Sequence, residues 1–330
     1  MTQNTGTGSG CDTGFDRRAI PPGASEGHWL AADGLRLRRI DWPADSAAPR
    51  GSLLFLPGRG DCYEKYLESL NHWHGRGWTI TSMDWRGQAG SGRQGLDGLT
   101  GHIADFAIWV ADLARFWGDW VATTPGPHVV VAHSMGGHLA LRALADGQIA
   151  PAAMVLTAPM LDLHRLGVPL ALVQAAAHVL GGLGDRRRPA WGPVEKPGAI
   201  PDQRIKLLTH DAARYADEQW WRQQRPYLLM GAPSWGWLEQ ALVSIRHMET
   251  PGLLEQVKTP VLLFATSADR LVAPAAIARA AKRLPQGELV RFGAEAAHEL
   301  LREADPVRLK VWAAIDDFWD RQASLGAGLR

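Results

Sequence analysis

The sequence predicts an α/β fold: a mostly parallel central sheet covered by helices on both faces, with a helical cap inserted between two of its later strands. Three observations carry this. Short apolar runs that read as strands alternate with helical patterns from Ser52 to Gln322. One such run, Val129 to Val131, enters the turn Ala132-His133-Ser134-Met135-Gly136, and a helix-compatible stretch, Leu139 to Ala145, leaves it. Between the strand that ends at Thr157 and the next convincing one at Pro260 lie about a hundred strand-poor residues, where a strand-to-helix connection usually spans only a few.

In chain order, residues 1–14 are rich in Thr, Gly, Ser and Asn, and 1–20 is expected to be a disordered leader. His28–Ala31 and Leu35–Ile40 flank Asp33-Gly34, a signal for a two-residue hairpin. Ser52–Leu56 is a buried-strand run that stops at Pro57-Gly58-Arg59-Gly60. Tyr63–His74 reads as a helix, Trp78–Met83 as a strand, and Asp84 to Gly92 as a glycine-punctuated loop. Ile103–Ala122 is amphipathic, with Phe106, Val110, Leu113, Phe116, Trp117 and Trp120 near helical spacing. The strand and helix around Ser134 follow, then a strand at Ala153–Thr157. Residues 160–250 are expected to be a helical cap, leaving 21–159 and 251–330 as the core. After the cap come a strand at Pro260–Ala265, a helix at Pro274–Arg283 whose proline suits a first helical position, a strand at Glu288–Phe292 and a helix at Pro306–Gln322.

Composition excludes several function classes. A net charge of +1 over 330 residues gives no footprint for a nucleic-acid partner. Two cysteines, Cys11 and Cys62, make neither a disulfide framework nor a metal-ligand set, and the histidines are scattered, so no metal and no cofactor are expected. The leader lacks the apolar core of a signal peptide, which fits a cytoplasmic protein, at most peripheral to the inner membrane face. Leu166–Gly184 is nearly all apolar, yet Pro169, Gln174, His178 and its glycines, and its place between two strands of one sheet, argue against a membrane span. It reads as a lid helix, with Leu166, Leu170, Leu172 and Val173 as expected substrate contacts. The run Asp185-Arg186-Arg187-Arg188 could meet a phosphate or make transient contact with an anionic membrane surface, although a solvated charge run has the same composition. Oligomeric state is not legible.

The chemistry gathers at strand ends. A serine hydroxyl is a poor nucleophile until a base takes its proton and an acid orients that base. The strained strand-to-helix turn around Ser134 demands small residues two before and two after it, here Ala132 and Gly136. Asp269 follows the strand after the cap, and His298 follows the last strand, in the chain order Ser, Asp, His. These three are the expected nucleophile, acid and base. Two backbone donors must meet the tetrahedral oxyanion, and the N–H groups of Met135 and Arg59 are expected there. His133 is expected to pack and not to move protons. A dehalogenase or epoxide hydrolase of such a fold would need a carboxylate where Ser134 stands.

These pieces carry a resemblance. Leu56-Pro57-Gly58-Arg59-Gly60 with Tyr63-Glu64-Lys65-Tyr66, Asp84-Trp85-Arg86-Gly87-Gln88-Ala89-Gly90-Ser91, His133-Ser134-Met135-Gly136-Gly137, Ser267-Ala268-Asp269-Arg270-Leu271-Val272 and His298-Glu299-Leu300-Leu301-Arg302-Glu303 resemble the monoacylglycerol lipase and lysophospholipase branch of the α/β-hydrolases, which is also grouped with serine aminopeptidases. Pro57 departs from the histidine common in the lipase oxyanion loop, and Ala132 from the first glycine of the turn. The resemblance implies an α/β-hydrolase fold and an ester with one fatty chain, a lysophospholipid or a monoacylglycerol, as a small substrate. A general carboxylesterase, a peptidase and a non-catalytic binding protein on the same fold stand as alternatives.

Overall fold

The computed structural model describes residues 14–164, 170–191 and 202–327. Eight strands form one sheet: β1 (Ser25–Leu30), β2 (Arg36–Trp42), β3 (Gly51–Leu56), β4 (Trp78–Met83), β5 (His128–His133), β6 (Ala153–Thr157), β7 (Val261–Thr266) and β8 (Gly287–Phe292). Their spatial order is β1-β2-β4-β3-β5-β6-β7-β8. The first two strands are antiparallel to each other, β2 is antiparallel to β4, and every later pairing is parallel. The hairpin signal at Asp33-Gly34 is real, but the Ala31 N–H donates to the Leu35 carbonyl and leaves three residues in the loop, with Gly34 at a φ of 82°.

The strand sequences explain why helices must cover both faces. Leu53, Phe55, Val129, Val131, Val155, Leu262 and Phe264 point into one core; Leu54, Leu56, Val130, Ala132, Met154, Leu156 and Leu263 point into the other. Strand side chains alternate sides, so a run that is apolar at every position needs cover above and below. On the first side lie α1 (Leu67–His74), which follows a 3-10 turn at Tyr63–Tyr66, and the terminal α9 (Asp305–Ala327). On the other lie α2 (Phe106–Thr123), α3 (Ser134–Ala145) and α8 (Pro274–Arg283). The helix α2 starts three residues later than its periodicity suggests, because the Asp105 side chain accepts the Ala107 N–H and caps it. The many tryptophans are core residues here, with Trp73, Trp85, Trp109, Trp120 and Trp319 fully buried.

Between β6 and β7 come α4 (Leu170–Gly182), α5 (Asp202–Leu208), α6 (Ala212–Gln224) and α7 (Trp235–Met248). The helix α4 packs on α7, where Glu239 accepts from Arg186 Nη1 at 2.7 Å and meets His178 Nδ1 at 2.7 Å. The arginine run beside it is occupied internally: Arg186 is on Glu239, Arg187 on Asp185, and Arg188 on backbone carbonyls of Leu180, Gly181 and Asp185. No helix among the described residues is long and apolar enough to cross a membrane.

Part of the expected leader is docked. Arg17 and Arg18 both donate to Asp217 of α6, the Trp221 indole donates to the Arg17 carbonyl, and Phe15 and Ile20 pack against the core. The polar composition of 1–14 is not shared by Phe15-Asp16-Arg17-Arg18, which has anchors for both burial and pairing. Residues 1–13, Cys11 among them, lie outside the described residues.

Leu263 lies on β7, between β6 and β8, with no exposure, so Leu263→Ala leaves a cavity and should lower stability by about 2–5 kcal/mol. Exposed Leu309 provides the contrast, and Leu309→Ala should stay within about 0.5 kcal/mol of the parent. Urea unfolding midpoints test both; equal midpoints for the two variants would contradict this packing.

Candidate active site

The strand order reverses at β3, because β4 lies on one side of it and β5 on the other. At such a switch point the loops leaving adjacent strands diverge and open a crevice at the strands' carboxyl ends. The loop after β3 carries Gly58 to Asp61, and the turn after β5 carries Ser134. Ser134 has φ 51°, a left-handed conformation uncommon for a residue with a Cβ, and α3 starts at that residue. The small residues around it are accounted for. A Cβ on Gly136 would lie 2.3 Å from the Pro57 carbonyl oxygen and 2.5 Å from that of Leu56. Ala132 is fully buried in the sheet and its methyl is accommodated there.

His298 Nε2 lies 2.9 Å from Ser134 Oγ, and His298 Nδ1 lies 2.6 Å from Asp269 Oδ2. A carboxylate can only accept, so Nδ1 carries the proton and Nε2 is left as the acceptor for the serine hydroxyl. Asp269 is itself oriented: its Oδ1 accepts the N–H groups of Leu271 and Val272 at 2.8 and 3.0 Å. Burial pushes the Asp269 pKa up, but the charge and hydrogen bond of His298 and these two backbone donors outweigh it, and the net shift is downward. Burial likewise opposes charge on His298, yet the Asp269 charge and hydrogen bond prevail and raise it above 6.5. His133 is different. Buried and bonded through Nδ1 to the Thr157 carbonyl and hydroxyl, it is lowered to about 4 by burial and by His298, so it is neutral packing.

The N–H groups expected to meet an oxyanion can be compared with their neighbours in the loop. The Gly58 N–H donates to Asp61 Oδ2 at 3.2 Å, and the Gly60 N–H donates to Gln88 Oε1 at 2.7 Å. The Arg59 N–H between them has no acceptor among the described residues, and neither has the N–H of Met135 in the first turn of α3, where helices leave donors open. The Trp85 indole pins the loop from below by donating to the Pro57 carbonyl at 2.8 Å. Asp84, the other acid near this motif, is held by Arg38 Nε at 2.6 Å and by the Gly90 N–H; burial, only partly offset by Arg38, raises it to about 6. It does not reach His298.

A buried ion network under the site was not legible in the sequence. Lys65 Nζ sits 2.8 Å from Asp61, 2.5 Å from Glu299 and 3.3 Å from Glu218, while Arg302 pairs with Glu218 at 2.8 Å and with Glu299. Asp61, His133 and Glu299 bring ligand atoms within 4.8 Å of one another. The Lys65 ammonium already bridges the two carboxylates, so the chain supplies the cation itself. Sequence spacing does place Lys65 one turn after Asp61 and Arg302 near Glu299, but it cannot reveal their burial.

Ser134 and His298 open into a cavity of about 420 Å³. Its apolar wall comes from Leu163, Leu207, Leu208, Trp237, Leu238 and Val272. The expected acyl contacts need correction. Leu172 is 62% exposed, and neither it nor Val173 lines this cavity, because α4 turns its inner face to α7 and not to Ser134. Leu166 and the side chain of Leu170 lie outside the described residues.

Residues 47–305 match the family model described as "Serine aminopeptidase, S33". The chain is 30% identical over 286 residues to lysophospholipase L2 of Escherichia coli, covering 82% of this chain and 81% of that one. It is also 30% identical to a monoacylglycerol lipase of Mycolicibacterium smegmatis, over 48% of this chain and 54% of the other. Among solved structures, a soluble variant of the Saccharomyces cerevisiae monoglyceride lipase in complex with a substrate analogue superposes with a TM-score of 0.72 at 18% identity, covering 94% of this chain and 98% of that one. A thermostable carboxyl esterase from Bacillus coagulans in complex with glycerol gives 0.68 at 15% identity, covering 91% and 99%. These last two likenesses are of fold.

The electrostatics make a direct prediction. His298 should titrate above pH 6.5, and Asp269→Asn, which leaves burial as the dominant influence, should bring the midpoint below that value. Imidazole NMR shifts followed against pH measure it, and an unmoved midpoint would contradict the assigned pairing.

Proposed function

We propose a function from a plain premise: the chain belongs to the serine aminopeptidase S33 family of α/β-hydrolases. On our reading it hydrolyses carboxylic esters of single-chain acyl lipids, lysophospholipids or monoacylglycerols, through an acyl-enzyme on Ser134. The observation that carries this is one cavity in which a Ser134–His298–Asp269 hydrogen-bond chain meets an apolar wall. The names of the two relatives, a lysophospholipase and a monoacylglycerol lipase, agree with that substrate class. The segment 160–250 serves as the cap that supplies much of the wall.

The chemistry follows from the geometry. Ser134 Oγ attacks the ester carbonyl carbon as its proton passes to His298 Nε2. The carbonyl oxygen takes the electron pair and accepts hydrogen bonds from the N–H groups of Met135 and Arg59. Collapse of the tetrahedral intermediate breaks the bond to the alcohol oxygen, and His298 returns the proton to that leaving group. Water then attacks the acyl-serine by the same route, releasing the fatty acid and restoring Ser134. A peptidase reading is weaker. An aminopeptidase needs an acid for the substrate ammonium, whereas Asp61 and Glu299, on the cavity wall, are already held by Lys65.

A fluorophosphonate should label Ser134 alone, and Ser134→Ala should abolish both labelling and turnover of lysophospholipid, monoacylglycerol and short p-nitrophenyl esters. Labelling that persists in the variant would refute the nucleophile. Because the base works neutral and its pKa is raised, kcat/KM of the parent should climb with pH through a midpoint above 6.5.

Acyl length gives a second test. Each buried methylene contributes about 0.8 kcal/mol, nearly fourfold in binding, so efficiency should rise with chain length until the cavity is filled. Leu238→Asp on the wall should penalise long-chain esters far more than acetates. A folded variant that loses both equally would remove the acyl role from this wall.

A further inference from the structure

The side chain of Arg59 has no place in the chemistry above, which uses only its backbone. Yet Arg59 is one of the residues that line the cavity into which Ser134 and His298 open. Its Nη2 donates to the Gly231 carbonyl at 2.6 Å, the group lies 5.3 Å from the centre of the Trp237 ring, and its Nε is shut away from solvent with no hydrogen-bond partner. No carboxylate pairs with it among the described residues. The charged groups that act on it are Arg204 and Arg93, both cations, and together with burial they lower its pKa to about 9, so it remains charged at neutral pH. The acids on the cavity wall cannot serve as its counter-charge, since Asp61 and Glu299 are held by Lys65.

A partly desolvated cation without an anion is costly, and such a group at the edge of a substrate cavity is satisfied when the substrate brings the charge. We propose that the Arg59 guanidinium is a subsite for a phosphate carried on the alcohol side of the ester, which makes the substrate a lysophospholipid and not a neutral monoacylglycerol. This rests on the Ser134 reading above. The reach is consistent. In a glycerol-linked lysophospholipid the phosphorus stands about five bonds, or about 6 Å, from the ester oxygen, and an extended arginine side chain spans a similar distance from its own backbone N–H. One residue thus contacts both sides of the scissile bond: its N–H holds the oxyanion developing on the acyl carbonyl, and its planar fork meets the phosphate of the leaving alcohol. The apolar wall is left for the acyl chain.

The test compares kcat/KM for a lysophosphatidylglycerol and a 1-monoacylglycerol of the same acyl chain in the parent, Arg59→Met and Arg59→Lys. The parent should favour the phospholipid. The ratio of the two efficiencies should fall about 10- to 100-fold in Arg59→Met, as expected for loss of a charge-assisted hydrogen bond, and recover in part in Arg59→Lys. A fall that is equal for both substrates, or an unmoved ratio, overturns the subsite while leaving ester hydrolysis at Ser134 standing. The parent alone gives an independent reading that no folding defect can blur. Glycerol 3-phosphate should inhibit monoacylglycerol hydrolysis competitively, and glycerol should not. Inhibition by inorganic phosphate at equal strength would assign the site to a free anion and overturn the leaving-group role, as would no inhibition by either. If the parent hydrolyses none of these esters, the Ser134 reading itself fails and takes the subsite with it.

Discussion

The close approach of the first turn of α3 to the end of β3 is the constraint on which the site depends. With carbonyl oxygens of Leu56 and Pro57 less than 3 Å from where a Cβ of residue 136 would stand, only glycine fits there. β3 and β5 are neighbours, so one backbone contact fixes the turn at Ser134 and the loop at Gly58–Asp61 relative to each other. Gly58 is also closely packed, though less tightly, since its Cβ position would be 3.1 Å from Ser134 Cβ. The strain at Ser134 persists because the surroundings over-determine it: the sheet on one side, the Pro57 carbonyl on the other, and the Met160 N–H bonded to the Ser134 carbonyl behind.

Much of this was legible in the sequence for a physical reason. Strand runs that are apolar at every position announce a sheet covered on both sides, and small residues at fixed offsets from a serine announce a turn that tolerates nothing larger. Position in the chain pointed to Asp269 and His298, which the fold brings into one hydrogen-bond chain with Ser134, because strand ends of a parallel sheet converge on one edge. What could not be read is whatever depends on burial or on which face a helix turns inward. Leu172 has the hydrophobicity of a pocket residue and stands in the right segment, yet faces away from Ser134. Asp61, Lys65, Glu218, Glu299 and Arg302 have the composition of a solvated surface, yet are buried together. The docking of Arg17 and Arg18 on Asp217 is a contact across about two hundred residues, which local composition does not report.

That buried network has a cost and a role. Removing several charges from water is expensive and is offset only when each finds partners of good geometry. Burial raises the Asp61 and Glu218 carboxylates, but Lys65 together with His133 and Tyr66 for Asp61, and with Arg222, Arg302 and Arg204 for Glu218, holds both below their ordinary values, while these acids and Glu299 outweigh the burial of Lys65 and raise it. The network joins elements that would otherwise be separate: Asp61 belongs to the loop after β3, Glu299 adjoins His298, and Glu218 lies on α6. The edge of the sheet that bears Ser134 and His298 is therefore braced by buried charge, whereas the cavity there is lined by apolar groups.

The backbone adds a tie of a different kind. The His298 N–H donates to the Leu207 carbonyl and the Glu299 N–H to the Leu208 carbonyl at 2.8 Å, while the Arg302 guanidinium reaches the Arg214 carbonyl. The last turn of α5 and the start of α6 are thus sewn to the loop that bears His298, although by sequence they lie between β6 and β7. A recombinant chimera that imported residues 160–250 wholesale from a relative would replace half of those stitches along with the roof. Its junctions are better cut so that α5 and α6 travel with residues 298–308, and α4 can be exchanged by itself. Inheritance faces the same grain: α5 and α6 must change in step with residues 298–308, while α4, which turns to α7, has no such tie among the described residues.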